Sequence, residues 1–376
     1  MLYRTMPRTG DRVSILGFGC MRLPLNAEGG IDGPRATALI RSAIDRGVNY
    51  VDTAWGYHDG ESEPAVGRAL EDGYRERVLL ATKLPSWLVE KPSDMDRFLD
   101  EQLKRLRTDH IDYYLIHSLN RDRWENVRRN GYGEFLDRAL ADGRIRRTGF
   151  SFHDALPLFR EIVDDRDWDF CQVQYNYLDT EYQAGTEGVR YASGRGLGVI
   201  VMEPLRGGNL ARGVPEAIMR IWGESPSGLS PAAWALRWVW DHPEVGVVLS
   251  GMTTESDLEE NLATAELGTS NSLTGAERDM VRRVAEEYRD RMRVGCTGCR
   301  YCLPCPAGVN IPECFNRYNM AFMFDDLEKA RSTYPVFLKP EARASVCVKC
   351  GACEEKCPQN LPIREHLESV ADLLER

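Results

Sequence analysis

The chain has 376 residues, 43% of them hydrophobic, and a formal net charge of −10. That is enough apolar material for a barrel-sized domain with a small appendage, or for two middling domains. The acidic balance excludes broad binding to nucleic acid or to anionic membrane, since both need clustered positive charge.

Its most apolar stretches, such as "GVIVMEPL", are far shorter than the roughly 20 residues that span a bilayer. The opening "MLYRTMPRTGDR" lacks the apolar core of a secretion signal, so a cytoplasmic location is expected.

Strand-like and helix-like segments alternate from Ser14 to about Leu267. The strand candidates are "SILGFGCM" (14–21), "NYVDTA" (49–54), "VLLATK" (78–83), "IDYYLIH" (111–117), "RRTGFS" (146–151), "FCQVQYN" (170–176), "GVIVMEP" (198–204) and "GVVLSG" (246–251). Short apolar runs rich in β-branched and aromatic residues are expected of strands buried on both faces. Between them "PRATALIRSAIDRG", "PSDMDRFLDEQLKRLR", "GEFLDRALADG", "PAAWALRWVWDHP" and "SDLEENLATAELG" have apolar spacing near 3.6. Ser256 to Glu259 has the S-x-x-E form of a capping box. The pattern predicts a (β/α)8 TIM barrel. A doubly wound sheet is the rival, but the Gly-rich dinucleotide turn it would carry after its first strand is missing. A charged helix at 274–293 leads into a cysteine-rich tail. The expected domains are therefore 1–290 and 291–376.

Barrel chemistry sits at the C-terminal ends of strands. There the sequence places Asp52, Tyr57 just beyond it, Lys83 and His117. A buried ammonium needs a counter-charge, which Asp52 can supply. Lys83 is then expected to favour the phenolate of Tyr57, lowering a pKa from about 10, and to tune that phenol as a general acid toward a substrate oxygen. His117 can hydrogen-bond the same oxygen. A single strand-end His, or one Asp–Lys pair, is more often structural; four such groups at three successive strand ends favour chemistry.

Here the sequence resembles the aldo/keto reductase family, over roughly residues 1–290. The resemblance rests on "LGFGCMRLP", "NYVDTAWGY", "ATK", "YYLIH", "GFS", "QVQYN" and "MEPLRGGNL". It implies that Asp52, Tyr57, Lys83 and His117 form a catalytic tetrad for hydride transfer between NAD(P)(H) and a carbonyl or alcohol. It implies cofactor contacts at Ser151 and Gln172 (carboxamide), Met202 (nicotinamide ring), and Pro204, Leu205, Arg206, Gly207, Gly208 and Leu210 (pyrophosphate loop). Ser250, Gly251 and Asn261 follow, the last toward adenine. Phe152 stands where Asn is common, and Met202 where many members stack a tyrosine. After the last strand, "SGMTTESDLEENL" has no basic residue for a 2′-phosphate. That favours NADH, with Arg206 as the residue that could reverse it. Met21, Trp55, His58, Leu84 and Ser118 fall near the mouth on the family pattern.

Nine of the eleven cysteines lie from Cys296 onward. Cys347, Cys350, Cys353 and Cys357 with Pro358 form C-x2-C-x2-C-x3-C-P, the bacterial ferredoxin run. Cys296, Cys299, Cys302 and Cys305 with Pro306 form a similar run, one residue shorter at its end. Two such runs predict two [4Fe–4S] clusters, the fourth Cys of each run ligating the other cluster; Cys314 is the substitute for Cys305. A zinc site needs four cysteines, not eight in two runs. "IPECFNRYNMAFMF" and "LEKARSTYPVF" read as helices, so the tail resembles the α-helical dicluster ferredoxin domains.

Three functions follow. One is an NAD(P)H-linked carbonyl reductase or alcohol dehydrogenase with a structural or docking tail. Another exchanges electrons through its clusters with a ferredoxin or other external carrier. The third is a nicotinamide-binding redox sensor, which has no need of a proton donor such as Tyr57.

Overall fold

The computed structural model describes every residue except Thr297, Cys299 and Pro358. The chain divides into two compact units, Met1–Gly207 with Ala232–Arg278, and Gly208–Pro231 with Asp279–Arg376. Compared with a division at 290/291, the second unit also takes most of the helix Gly275–Asp290 and the excursion after the glycine loop.

The first unit opens with a hairpin that the sequence pattern does not reveal, β1 (Tyr3–Thr5) antiparallel to β2 (Arg12–Ser14). Three-residue strands, each with an arginine, carry too little periodicity to be seen. Eight parallel strands follow: β3 (Leu16–Gly19), β4 (Tyr50–Asp52), β5 (Leu79–Leu84), β6 (Ile111–Leu119), β7 (Ile145–Phe152), β8 (Phe170–Gln174), β9 (Gly198–Met202) and β10 (Val245–Ser250). They close into a barrel in chain order, β10 pairing with both β9 and β3. These are the eight expected runs, with ends moved by at most two residues.

Each strand is buried on two faces, as its apolar run requires. Tyr50, Tyr113, Phe170, Ile200 and Val247 pack together in one cluster. Leu39, Leu99, Phe135, Phe159 and Trp240 belong to the larger core that includes the helices. Met6, between the hairpin strands, is buried against the starts of β9 and β10. A Cβ on Gly198 or Gly246 would lie 2.7 or 2.8 Å from its sulfur, so a side chain at either position would have to displace the end of buried Met6.

The helix Glu255–Ala265 begins with a capping box, but not the one expected. Thr254 is the N-cap and Asp257 its partner, two residues before the Ser256–Glu259 pair. Asp257 also accepts from the backbone N of Thr253 and Thr254, which fixes the earlier start.

The second unit contains the helices Glu216–Trp222, Ile311–Met323, Leu327–Phe337 and Ile363–Leu374. The last has no counterpart among the sequence expectations. Ile311, Cys314 and Phe315 lie on one face of their helix and pack with Tyr334, Leu367 and Val370. Buried Asn319 accepts from the backbone N of Arg293 and Val294 (3.0 and 2.9 Å) and donates to Val294 O (2.7 Å). It thereby anchors the lead-in to the first cysteine run. Lys329 donates to Asn209, and Arg283 pairs with Glu224, holding the 208–231 excursion within this unit. Among the described residues no helix is long and apolar enough to cross a membrane.

Candidate active site

Asp52 ends β4, Lys83 is the penultimate residue of β5, and His117 lies near the end of β6. Tyr57 opens the short turn after β4. The parallel register that pairs Asp52 with Ala81 and Lys83 with Leu115 brings these ends to one rim.

Lys83 is fully buried and donates to Asp52 Oδ1 at 2.7 Å, to Thr53 O at 2.7 Å and to Tyr57 Oη at 3.5 Å. Burial opposes its charge, but Asp52 and Tyr57 together raise its pKa above the usual lysine value, so it stays an ammonium. The Tyr57 ring meets the His117 ring edge-on, with centroids 6.0 Å apart. His117 is held well below the usual imidazole range, by burial first and then by Lys83, His153 and Arg123. It is therefore a neutral imidazole, and its Nδ1 is buried without a partner.

One expectation reverses. Lys83 does pull the pKa of Tyr57 down, but burial raises it by more than Lys83 at 3.5 Å lowers it. The phenol is protonated at neutral pH and can deliver a proton.

Beside the tetrad, Ser151 on β7 accepts from Ser118 N at 2.6 Å. Gln172 on β8 pairs in register with Ser151 and donates to Met202 Sδ at 3.5 Å, while its own Oε1 is buried without a donor. A carboxamide NH2 would satisfy that oxygen, so these residues fit a nicotinamide. Pro204 is buried and Leu205 half-buried. Gly207 has φ 70° and Gly208 φ 91°, backbone that glycine adopts readily. Gly208 and buried Leu210 belong to the second unit. Arg206 pairs with Asp179 at 3.4 Å. Asn261 is buried and donates to Ser250 Oγ at 2.8 Å, and Gly251 lies beside Arg22.

Sequence reasoning missed two basic residues on this side. Arg22 reaches the Gly207 turn. Arg35 pairs bidentately with Glu255 (3.0 and 2.6 Å) and holds that carboxyl down to about 2. Two mouth candidates have other partners. Trp55 packs on Phe98 and under Arg105, and His58 Nε2 accepts from Leu23 N at 3.0 Å. Leu84 is buried and Met21 exposed. Trp87, which no sequence pattern marks, instead packs on His117, with ring centroids 5.2 Å apart.

In the second unit the cysteines line two cavities. Cys305, Cys347, Cys350 and Cys353 line the first; Cys296, Cys302 and Cys357 line the second. Each cavity thus draws cysteines from both runs, and Ile311 lines both. Cys299 lies outside the described residues. Cys314 lines neither cavity and is buried against Tyr334 Oη (3.5 Å). A wall of thiols in an apolar surround fits an iron–sulfur cluster.

The chain is an oxidoreductase whose closed parallel barrel brings an ammonium, a carboxylate, a phenol and a neutral imidazole to one rim, where the active sites of this fold lie. The chain belongs to the aldo/keto reductase family, whose model matches residues 15–273, and residues 295–361 match the model of a 4Fe-4S dicluster domain. It is 31% identical over 233 residues to an uncharacterized oxidoreductase, YrpG, of Bacillus subtilis, covering 56% of this chain and 68% of that protein. It resembles the holo form of aldo-keto reductase AKR11C1 from Bacillus halodurans (TM-score 0.64, 26% identity, 76% of this chain and 96% of that one). A Klebsiella pneumoniae aldo/keto reductase solved with NADP and acetate is similar too (TM-score 0.62, 25% identity, 75% of this chain and 94% of that one).

Proposed function

We propose that this chain reduces a carbonyl compound, or oxidises the matching alcohol, with NADH, and that its tail exchanges single electrons with an external carrier. The observation that carries the first part is the buried Lys83 joining Asp52 to Tyr57, with neutral His117 at the phenol's edge. When bound, a nicotinamide supplies or accepts the hydride at the carbonyl carbon. The chain's own residues do the rest. Tyr57 Oη holds the proton that passes to the substrate oxygen. Lys83, kept charged by Asp52, stabilises the phenolate left behind. His117 orients the oxygen. Ser151 and Gln172 hold the carboxamide.

NADH is favoured over NADPH by the start of the helix Glu255–Ala265. A helix N-terminus is a natural phosphate cradle, but Thr254 and Asp257 already occupy its amides. Arg35 is paired with Glu255 and Arg206 with Asp179, which leaves Arg22, beside Gly251, as the cation on this side that a 2′-phosphate would have to use.

In the tail, Cys296, Cys299, Cys302 and Cys357 would hold one [4Fe–4S] cluster and Cys305, Cys347, Cys350 and Cys353 the other. The pair supplies one-electron capacity matching the two electrons of a hydride. The separation of cysteines into two cavities supports this assignment, with Cys305 rather than Cys314 as the fourth ligand.

The test uses anaerobically purified full-length protein. It should carry about eight irons and show carbonyl-dependent NADH oxidation, and its clusters should be reducible by a ferredoxin. No turnover with any aldehyde or ketone offered, or about four irons, contradicts the proposal.

A further inference from the structure

The wall of the active site nearest His117 contains a cation that the proposed chemistry does not use. Arg123 lies in the helix Arg121–Arg129, which directly follows β6. Its Nη1 donates to Ser118 O at 2.9 Å and to Ser118 Oγ at 2.6 Å. Its guanidinium lies over the Trp87 ring, 5.2 Å from the centroid. Trp87 packs on His117 on one side and reaches Gly56, the neighbour of Tyr57, on the other: a Cβ on Gly56 would lie 3.8 Å from the indole. Trp87 and Arg123 therefore form one continuous wall from the proton donor to the outer rim.

Two features separate Arg123 from ordinary surface arginines. Of the other arginines on the same helix, Arg121 pairs with Glu161 at 2.8 Å and Arg128 lies 3.8 Å from the same group. Arg123 is half-buried, yet it pairs with no carboxylate among the described residues, and its Nε and Nη2 donate to no protein group there. Ser118, its anchor, has φ 57°, a left-handed conformation uncommon for serine. The bond from Ser118 N to Ser151 Oγ and the bonds from Arg123 hold that turn. Strained residues of this kind gather at binding and catalytic sites. Trp87, meanwhile, leaves 41% of its surface exposed beside the tetrad.

A guanidinium with two free donors on one edge matches two oxygens of an anion, and partial burial strengthens that attraction. On the cofactor side, Glu203 follows β9 and lies by Arg22 at the Gly207 turn. In the barrel order β9 is opposite β5, the strand that precedes Trp87.

We propose that Arg123, anchored on Ser118 and stacked on Trp87, recognises an anionic group, so that the carbonyl substrate of this enzyme carries a carboxylate or a phosphate. The proposal rests on the reading of the tetrad as the reducing site, and its test separates the two.

Binding to the full-length protein loaded with oxidised nicotinamide is measured by calorimetry for three aldehydes. Butanal is neutral, 4-oxobutanoate carries a carboxylate and glyceraldehyde 3-phosphate a phosphate. At least one anion should bind about tenfold or more tighter than butanal, as a charged hydrogen-bonded pair allows, and the tighter one identifies the group. Added salt should weaken that anion's binding but not butanal's. Arg123→Gln should remove the preference, and Arg123→Lys, which keeps the charge but not the fork, should retain part of it. Tyr57→Phe should keep the preference while losing turnover; turnover surviving in that variant would refute the tetrad reading and not this one. Butanal binding as tightly as both anions, no measurable binding of any of the three, or a preference that persists in folded Arg123→Gln overturns the proposal. Should Arg123→Gln fail to fold, the salt response of the wild-type protein decides: an anion preference insensitive to salt refutes it.

Discussion

The two units carry their chemistry in opposite ways. In the barrel, Asp52, Tyr57, Lys83 and His117 come from segments up to 65 residues apart and meet only because parallel strands end at one rim. In the tail, the thiols of a cavity that come from one run lie three or six residues apart in sequence, and one more, Cys305 or Cys357, comes from the other run. The barrel makes its site at the rim of a large apolar core. The tail's core is smaller; Cys314 and Cys353 are part of it, and Cys296, Cys302, Cys305, Cys347 and Cys357 pack along its margin. Removing a functional side chain should therefore stop the chemistry in the barrel while leaving the tail's iron in place, and strip iron from the tail while leaving the barrel folded.

Lys83→Met is the largest test of that contrast, because it leaves the barrel's buried Asp52 without its cation. Breaking a buried pair costs about 3–5 kcal/mol, so the urea midpoint of the barrel should fall and carbonyl turnover should vanish. An unchanged midpoint would mean that the pair does not hold the rim together. Cys350→Ala should instead lower iron from about eight to about four per chain and make the second unit sensitive to protease, with the barrel's unfolding unaltered. Full iron retention would refute the ligand assignment. Asp257→Ala opens the amides of the helix Glu255–Ala265. It should raise NADPH affinity relative to NADH severalfold, read as the ratio of the two Kd values; an unmoved ratio removes the cap from cofactor choice.

The smallest expected effect is with pH. The proposed reduction needs protonated Tyr57, whose folded pKa lies above the ordinary value of about 10. His117, pushed below its usual range, is already neutral. As pH rises through neutrality neither group changes charge, so kcat for reduction should be flat there and fall only once pH passes the raised phenol value. A titration of kcat near 7 would contradict the burial argument.

The same contrast explains what could be read in advance. Spacing alone exposed the cysteine runs, since C-x2-C-x2-C-x3-C-P has few other uses. The tetrad needed topology as well: it became legible once eight apolar runs implied a barrel. The hairpin β1–β2 stayed hidden because "YRT" and "RVS" are too short to show a period. The helix start at Thr254 was misplaced because Ser256–Glu259 offers a competing cap with the right spacing. Neither the direction of the Tyr57 shift nor the Trp87–Arg123 wall could be read, because burial and cross-segment stacking depend on neighbours brought in by folding.

The proposed chemistry depends on Tyr57 as the proton donor at a rim organised by Lys83. The most direct measurement is single-turnover reduction of an aldehyde by Tyr57→Phe, with nicotinamide affinity determined in parallel. The expected result is unaltered cofactor binding and a hydride-transfer rate lowered by about 10²–10⁴, the contribution typical of a positioned acid. Hydride transfer at the wild-type rate in the Tyr57→Phe protein would contradict it.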